Sequence, residues 1–239
     1  YRDVSLSFRQ EQVLLDTAGG MDNIRDWLPE KAPFLVYNGD ILTNLPLEPA
    51  VRHHLAKGNL VTLVLRSSGD EVRVGFDIDS GAVVDLRGAL RPEWKERFQF
   101  TGIYVVSPEF LRYIRPGKIE SVVLSFLAAI EAGERIGGFL SDEGDWSDLG
   151  ERESYLSAIP QLLSRDEKEN RIAETAEIHP SAYVDTLSSV GEGAVIEEGA
   201  KVTESVIWAG ARVARGSQLH RVVLRFGREV EGELTSLDL

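Results

Sequence analysis

Two aspartates follow short strand-like segments, and their carboxylates are candidates for binding a metal ion. Asp40 comes just after the apolar run Pro33–Tyr37, and Asp148 lies in the segment Trp146–Gly150. Ligands of α/β proteins bind at the carboxyl ends of sheet strands, so the two aspartates could converge on one Mg²⁺ between phosphate oxygens. Each has a structural alternative: residues 38–40 have the composition of a turn, and Asp148 would suit a helix N-terminus.

A glycine pair offers a second candidate site. Thr17, Gly19 and Gly20 precede Met21–Leu28, which we predict to be helical. The glycines would then lie at a helix N-terminus, where backbone N–H groups are free to bind a ligand oxygen or a base edge. The alternative is an ordinary glycine-containing loop.

Thr101 and Gly102 interrupt the predicted strand Phe98–Val106. Because glycine weakens a strand, this position indicates a close approach by a ligand or by a neighbouring element. The four histidines have no metal-ligand spacing and form no triad with a nucleophile, so we interpret them as surface or β-helix residues. Without cysteine, any metal site must use oxygen ligands.

These candidate residues need a scaffold, and the first 160 residues alternate between strand-like and helix-like segments. This alternation is typical of a sheet covered by helices. Besides the segments above, we predict a buried strand at 60–65 and a hairpin formed by strands at 72–76 and 81–86. We also predict four further helices, at 51–57, 108–113, 122–132 and 153–159.

A different periodicity begins after the charged stretch 164–171. Aliphatic residues recur every six positions and resume after one five-residue step, at Ile178, Val184, Val190, Ile196, Val202, Ile207, Val213 and Leu219. One inward aliphatic residue per six predicts a parallel β-helix of two to three coils, and the alternative is a small antiparallel sheet. We therefore predict an α/β domain over residues 1–163 and a hexapeptide-repeat β-helix domain over 172–239.

Composition restricts the partners. The net charge of −13 argues against a surface that follows nucleic-acid phosphates or anionic lipid, since both need clustered Lys and Arg. No apolar run approaches the length of a membrane span, and we expect a cytoplasmic protein. The chain opens at Tyr1 without an initiator Met, and we expect that an N-terminal part is missing.

Taken together, the segments resemble the sugar-1-phosphate nucleotidylyltransferases, also called nucleotide-sugar pyrophosphorylases. The similarity extends in order over nearly the whole chain, and a terminal hexapeptide β-helix is common in that family. Four segments carry the resemblance, at Leu15–Gly20, Phe34–Asp40, Phe100–Glu109 and Trp146–Gly150 with Tyr155 and Leu156 after it.

The resemblance implies a three-layer nucleotide-binding domain with a mixed, mainly parallel sheet, followed by a short left-handed parallel β-helix. It implies that a sugar 1-phosphate attacks the α-phosphorus of a nucleoside triphosphate and releases pyrophosphate. The implied roles are Mg²⁺ binding by Asp40 and Asp148, nucleotide binding by Thr17, Gly19 and Gly20, and sugar-phosphate binding by Asn38, Gly39, Thr101 and Gly102.

Two features depart from the family pattern. The glycine-rich N-terminal loop that grips the triphosphate has no counterpart in this sequence. The Glu-Lys pair that many relatives use for the sugar phosphate is replaced by Asp85–Gly88. Arg87 could bind the phosphate bidentately, or it could be an exposed hairpin arginine.

Three functional hypotheses remain at this point. The first is the enzyme, with UTP or GTP favoured as the nucleotide. The second is a non-catalytic regulatory or scaffold paralogue that binds a sugar nucleotide, and the third is an acyltransferase, for which the β-helix has too few coils. We also expect a homo-oligomer formed through the β-helix, with Trp208 as a contact residue.

Overall fold

The computed structural model describes residues 5–165 and 171–239, with the backbone alone for 160–165. The contacts divide the chain into two compact units, Tyr1–Trp146 and Ser147–Leu239. In the first unit the helices are α1 (Asp16–Asn23), α2 (Glu48–Lys57) and α3 (Val122–Glu131), with 3-10 helices at Arg25–Trp27 and Pro108–Tyr113. Its strands are β1 (Phe34–Tyr37), β2 (Ile41–Thr43), β3 (Val61–Arg66), β4 (Val72–Asp77), β5 (Ala82–Leu86), β6 (Arg97–Val106) and β7 (Ile136–Leu140), and β8 (Trp146–Asp148) begins at its last residue.

Six strands form one mixed sheet in the order β1-β6-β3-β7-β5-β4, with an additional pairing of β6 and β4. The predicted mixed α/β sheet and the hairpin β4–β5 are confirmed. Among the described strands of this sheet, the parallel pairing is β3 with β7. The sheet is less parallel than we expected, because β6 runs antiparallel to both β1 and β3.

Helices cover both faces of this sheet, which gives three layers. Alternate residues of a strand point to opposite faces, and β3 follows this rule. Leu63 and Leu65 belong to the apolar cluster that contains Phe126 of α3, whereas Val64 packs in the cluster of Ala50 of α2. This burial of apolar surface on both faces is the main stabilisation of the unit.

One prediction about the helices is wrong, and one about the strands is refined. The first helix covers Asp16–Asn23 instead of Met21–Leu28, so Gly19 and Gly20 lie inside it. The strand β6 continues through Gly102, which has a φ of +75°.

The interpretation of the histidines is also wrong at His54, which is 2% exposed. Its Nδ1 atom lies 3.0 Å from the Thr62 hydroxyl, and its Nε2 atom lies 3.0 Å from the Ser107 hydroxyl. Burial, and after it the charge of His53, lowers the pKa of this imidazole from 6.5. A neutral imidazole with two hydroxyl partners can be buried without an uncompensated charge.

The second unit begins with the rest of β8 and with α4 (Arg152–Arg165), and continues as a solenoid of short parallel strands. The strands are β9 (Glu177–Ile178), β10 (Tyr183–Val184), β11 (Ser189–Val190), β12 (Val195–Ile196), β13 (Lys201–Thr203), β14 (Val206–Ile207), β15 (Arg212–Val213), β16 (Gln218–His220), β17 (Val223–Leu224), β18 (Glu229–Val230) and β19 (Glu233–Thr235). They stack as three parallel sheets, so the predicted β-helix is confirmed with about three coils.

The aliphatic residues predicted to point inward do so, and Leu224 and Val230 continue their series. Leu156 of α4 packs against Val206 and Val223 of one β-helix face. Residues 166–170 of the charged stretch lie outside the described residues. Among the helices that the structure describes, none combines the length and the apolar character needed to cross a bilayer.

Candidate functional site

The turn after β1 presents the first predicted carboxylate. The Ile41 amide donates to the Asn38 carbonyl at 3.2 Å, and the Asn38 amide donates to the Gly102 carbonyl at 3.1 Å. Residues 38–40 therefore do form a turn, and this turn leaves Gly39 and Asp40 exposed. Apart from Gly39 and its chain neighbours, no described residue has an atom within 4 Å of a Cβ atom placed at Gly39. A ligand can approach the Asp40 carboxylate from solvent.

Gly102 lies directly against this turn. A Cβ atom at Gly102 would come within 3.0 Å of the Asn38 Nδ2 atom and 3.1 Å of the Ile41 Cγ1 atom. The close approach predicted from the sequence is therefore made by a neighbouring segment. Thr101 is buried, its hydroxyl donates to the Val64 carbonyl at 2.9 Å, and it accepts a bond from the Ile103 amide. The Asn38 side chain, half-buried beside Gly102, is the group at this position that can reach a ligand.

Gly19 of α1 packs against the loop before α3. The Gly19 amide donates to the Glu120 carbonyl at 3.3 Å, and a Cβ atom at Gly19 would lie 2.6 Å from the Lys118 carbonyl oxygen. The Thr17 hydroxyl accepts a bond of 2.9 Å from the Val122 amide at the start of α3. Glycine at position 19 therefore permits close helix packing, and the Gly19 amide is already hydrogen-bonded.

A cavity of about 350 Å³ connects three of the predicted residues. Thr17, Gly20 and Asn38 line it together with apolar side chains of α1 and β1. Tyr104 also lines the cavity, and its buried hydroxyl has no hydrogen-bond partner among the described residues. Burial raises the pKa of Tyr104. The volume lies in the usual range of small-molecule sites, roughly 300–1,000 Å³.

None of the described contacts of Arg87 is with the residues that line this cavity. It sits at the end of β5 with a φ of +59°, its side chain is exposed, and its amide donates to the Arg73 carbonyl at 2.7 Å. The neighbouring Asp85 is buried and forms an ion pair of 2.9 Å with Arg97. Burial would raise the pKa of Asp85, but hydrogen bonds from the Leu90 amide and other donors lower it overall. Asp85 thus organises the loop after β5.

Asp148 lies in the second unit at the end of β8. Its carboxylate is exposed, and Oδ1 accepts a bond of 2.9 Å from the Gly150 amide shortly before α4 begins. The described residues contain no cluster of three or more acidic or histidine side chains arranged for a metal ion. Mg²⁺ commonly uses one or two carboxylates and completes its shell with waters and substrate phosphates. Each of these exposed carboxylates is therefore a chemically suitable donor for such an ion.

A larger cavity, of about 410 Å³, lies on the β-helix. It is lined by charged groups of both signs, among them Glu197, Glu198 and Arg215. Arg215 pairs with Glu198 at 2.9 Å, and its amide donates to Glu197. The Arg215 guanidinium is therefore already paired, and we do not assign the candidate site there.

Sequence reasoning gave no separate role to two residues near the Asn38–Gly102 contact. The indole N–H of Trp146 donates to the Thr101 carbonyl at 2.9 Å, and the Asn44 side chain accepts a bond of 2.7 Å from the Asp145 amide. The first bond joins residues 45 positions apart in the sequence, and the second joins residues 101 positions apart. Local sequence patterns carry no signal for such contacts.

Comparison with known proteins gives a consistent family. A family model described as nucleotidyl transferase matches residues 2–165. The chain is 25% identical over 232 residues to a probable mannose-1-phosphate guanylyltransferase 2 of Arabidopsis thaliana, covering 89% of this chain and 63% of the relative. It is also 25% identical over 244 residues to a UTP–glucose-1-phosphate uridylyltransferase of Synechocystis, covering 86% and 62% respectively.

A mannose-1-phosphate guanylyltransferase catalytic subunit beta of Danio rerio is 25% identical over 248 residues, covering 95% of this chain and 67% of the relative. The chain thus spans a little under two thirds of the length of the first two relatives.

Proposed function

Because the chain belongs to the nucleotidyl transferase family, we propose that the protein transfers a nucleotidyl group from a nucleoside triphosphate to a sugar 1-phosphate. The relatives named above act on mannose 1-phosphate with a guanylyl group or on glucose 1-phosphate with a uridylyl group. The observation that best supports the proposal is the cavity that joins Thr17 and Gly20 to Asn38, beside the exposed Asp40.

In the proposed reaction a phosphate oxygen of the sugar 1-phosphate attacks the α-phosphorus of the triphosphate. The bond from that phosphorus to the β-phosphate oxygen breaks, and pyrophosphate leaves with the electron pair. The chain needs no nucleophile of its own for this step. Its task is to orient both substrates and to exclude water, the contribution that positioning makes to catalysis.

The residues divide this task. The cavity beside Thr17 and Gly20 receives the nucleotide, and the Asn38 side chain contacts the sugar 1-phosphate. Asp40 and Asp148 would hold Mg²⁺, which when bound would neutralise charge on the phosphate oxygens. Arg87 remains a candidate for binding the phosphate, although none of its described contacts is with another site residue.

We also propose a cytoplasmic location. The β-helix with its hexapeptide repeat is proposed to mediate self-association, supported by Trp208, which is 39% exposed on that unit. A Trp208→Ser variant should dissociate in sedimentation velocity, and a wild-type protein that is monomeric at all concentrations would contradict this part.

The test is pyrophosphate release, measured with GTP and mannose 1-phosphate and with UTP and glucose 1-phosphate. Asp40→Asn and Asp148→Asn should each abolish the Mg²⁺-dependent rate with little change in melting temperature, because both carboxylates are exposed. The control is Asp79→Asn, since Asp79 is an exposed carboxylate in the turn between β4 and β5. Full activity in Asp40→Asn, or no release by the wild-type protein with either pair, would refute the proposal.

A further inference from the structure

The carbonyl of Thr101 is held by a side chain from a distant part of the chain. The Trp146 indole N–H donates to it at 2.9 Å. Thr101 is fully buried, and its hydroxyl donates to the Val64 carbonyl. The indole ring packs in the small cluster that contains Ile41 and Ile103. Thr101 is therefore fixed at both its backbone and its side chain.

This fixed residue is followed by Gly102, which contacts Asn38, the residue that we propose binds the sugar 1-phosphate. The Gly102 carbonyl accepts the bond from the Asn38 amide, and the Asn38 Nδ2 atom would lie 3.0 Å from a Cβ atom at position 102. A displacement of Thr101 would move Gly102 and, through it, the Asn38 side chain.

The backbone that carries Trp146 is held in turn by Asn44. The Asn44 Oδ1 atom accepts a bond of 2.7 Å from the Asp145 amide, and the Asn44 amide donates to the Asp145 carbonyl at 3.3 Å. The Thr43 hydroxyl donates to the same carbonyl at 2.5 Å. Gly144 has a φ of +71°, and a Cβ atom there would lie 2.4 Å from Asn44 Oδ1. The conformation of this segment therefore depends on the hydrogen bonds with Asn44 and on glycine at position 144.

We propose that Trp146 and Asn44 are positioning residues for the Asn38–Gly102 contact, and that they set the affinity of the site for the sugar 1-phosphate. This inference rests on the proposed function. Neither side chain needs to touch the substrate, since the effect passes through Thr101 and Gly102. The affected quantity is the KM for the sugar 1-phosphate, whereas bonds made in the transition state alone would change kcat.

Trp146→Phe removes the indole N–H and keeps an aromatic ring in the cluster. We expect the KM for the sugar 1-phosphate to rise about fivefold, the effect of one ordinary hydrogen bond, with kcat within about twofold. Trp94→Phe is the matched control, because the buried indole N–H of Trp94 has no partner among the described residues. Its KM should stay at the wild-type value.

A second pair of variants keeps the test decisive if Trp146→Phe does not fold. Asn44→Leu loses the acceptor for the Asp145 amide and should raise the same KM, whereas Asn44→Asp retains an oxygen there and should restore it. An unchanged KM in Trp146→Phe or Asn44→Leu, with an active wild-type protein, would refute the positioning role alone. A wild-type protein without turnover would refute the proposed function and this inference together.

Discussion

The contact between Gly102 and the turn at Asn38 can be tested by adding one methyl group. In Gly102→Ala the alanine must keep a φ of +75°, and a left-handed conformation costs a non-glycine residue about 1–2 kcal/mol. Its Cβ atom would also lie 3.0 Å from Asn38 Nδ2 and 3.1 Å from Ile41 Cγ1. Such overpacking adds about 1–3 kcal/mol. The half-buried Asn38 side chain can move, so we expect a total loss of about 2–4 kcal/mol.

The matched control is Gly58→Ala. Gly58 ends α2 with a φ of +59°, and among the described residues no atom beyond Gly58 and its chain neighbours lies within 4 Å of a Cβ atom at this position. Only the conformational cost should appear, about 1–2 kcal/mol. Urea unfolding followed by circular dichroism measures both variants. If Gly102→Ala loses no more free energy of unfolding than Gly58→Ala, then the contact with the turn contributes nothing and the geometry of the candidate site is wrong.

Three further predictions concern the polar side chains. His54→Gln should remove a pH dependence of the free energy of unfolding. The folded pKa of His54 lies below 6.5, so the contribution of His54 to stability is present above about pH 6.5 and is lost as the pH falls below it. Urea unfolding at neutral pH and at about pH 5.5 will measure this difference. Asp85→Asn should cost about 3–5 kcal/mol in the same assay, because a buried ion pair loses one charge; a loss under 1 kcal/mol would show that the neutral side chain suffices. Thr101→Val should lower the free energy of unfolding by about 1–3 kcal/mol, whereas Asn38→Ala should leave it nearly unchanged and raise the KM for the sugar 1-phosphate. Equal effects of these two on stability would contradict the assigned roles.

The parts of the fold that the sequence predicts correctly depend on local periodicity. The β-helix follows from aliphatic residues six apart. Each of them lies in a short strand that forms one side of a coil, as Val190 and Ile196 do. The hairpin β4–β5 follows from its two strand patterns and the turn between them. Such signals lie within a few residues of the element that they specify.

The errors occur where distant residues decide the structure. The sequence predicts the start of α1 too late, because two glycines favour a loop on local grounds, but the Glu120 carbonyl accepts bonds from the Ala18 and Gly19 amides of this helix. The sequence favours a surface position for His54, whereas its burial depends on hydroxyls contributed by Thr62 and Ser107. Neither partner can be identified from the sequence near the residue itself.

The same distinction applies to the candidate site. Thr17 and Thr101 are candidates because of the glycines that follow them, and the hydroxyls of both are hydrogen-bonded within the protein, to the Val122 amide and the Val64 carbonyl. The side chains free to reach a ligand are those that the turn after β1 presents, Asn38 and Asp40. We therefore expect the motif around Thr101 to shape the candidate site through the backbone, and ligand recognition in this unit to depend mainly on that turn. A substitution at Thr101 should then act on folding first and on substrate binding only through its neighbours.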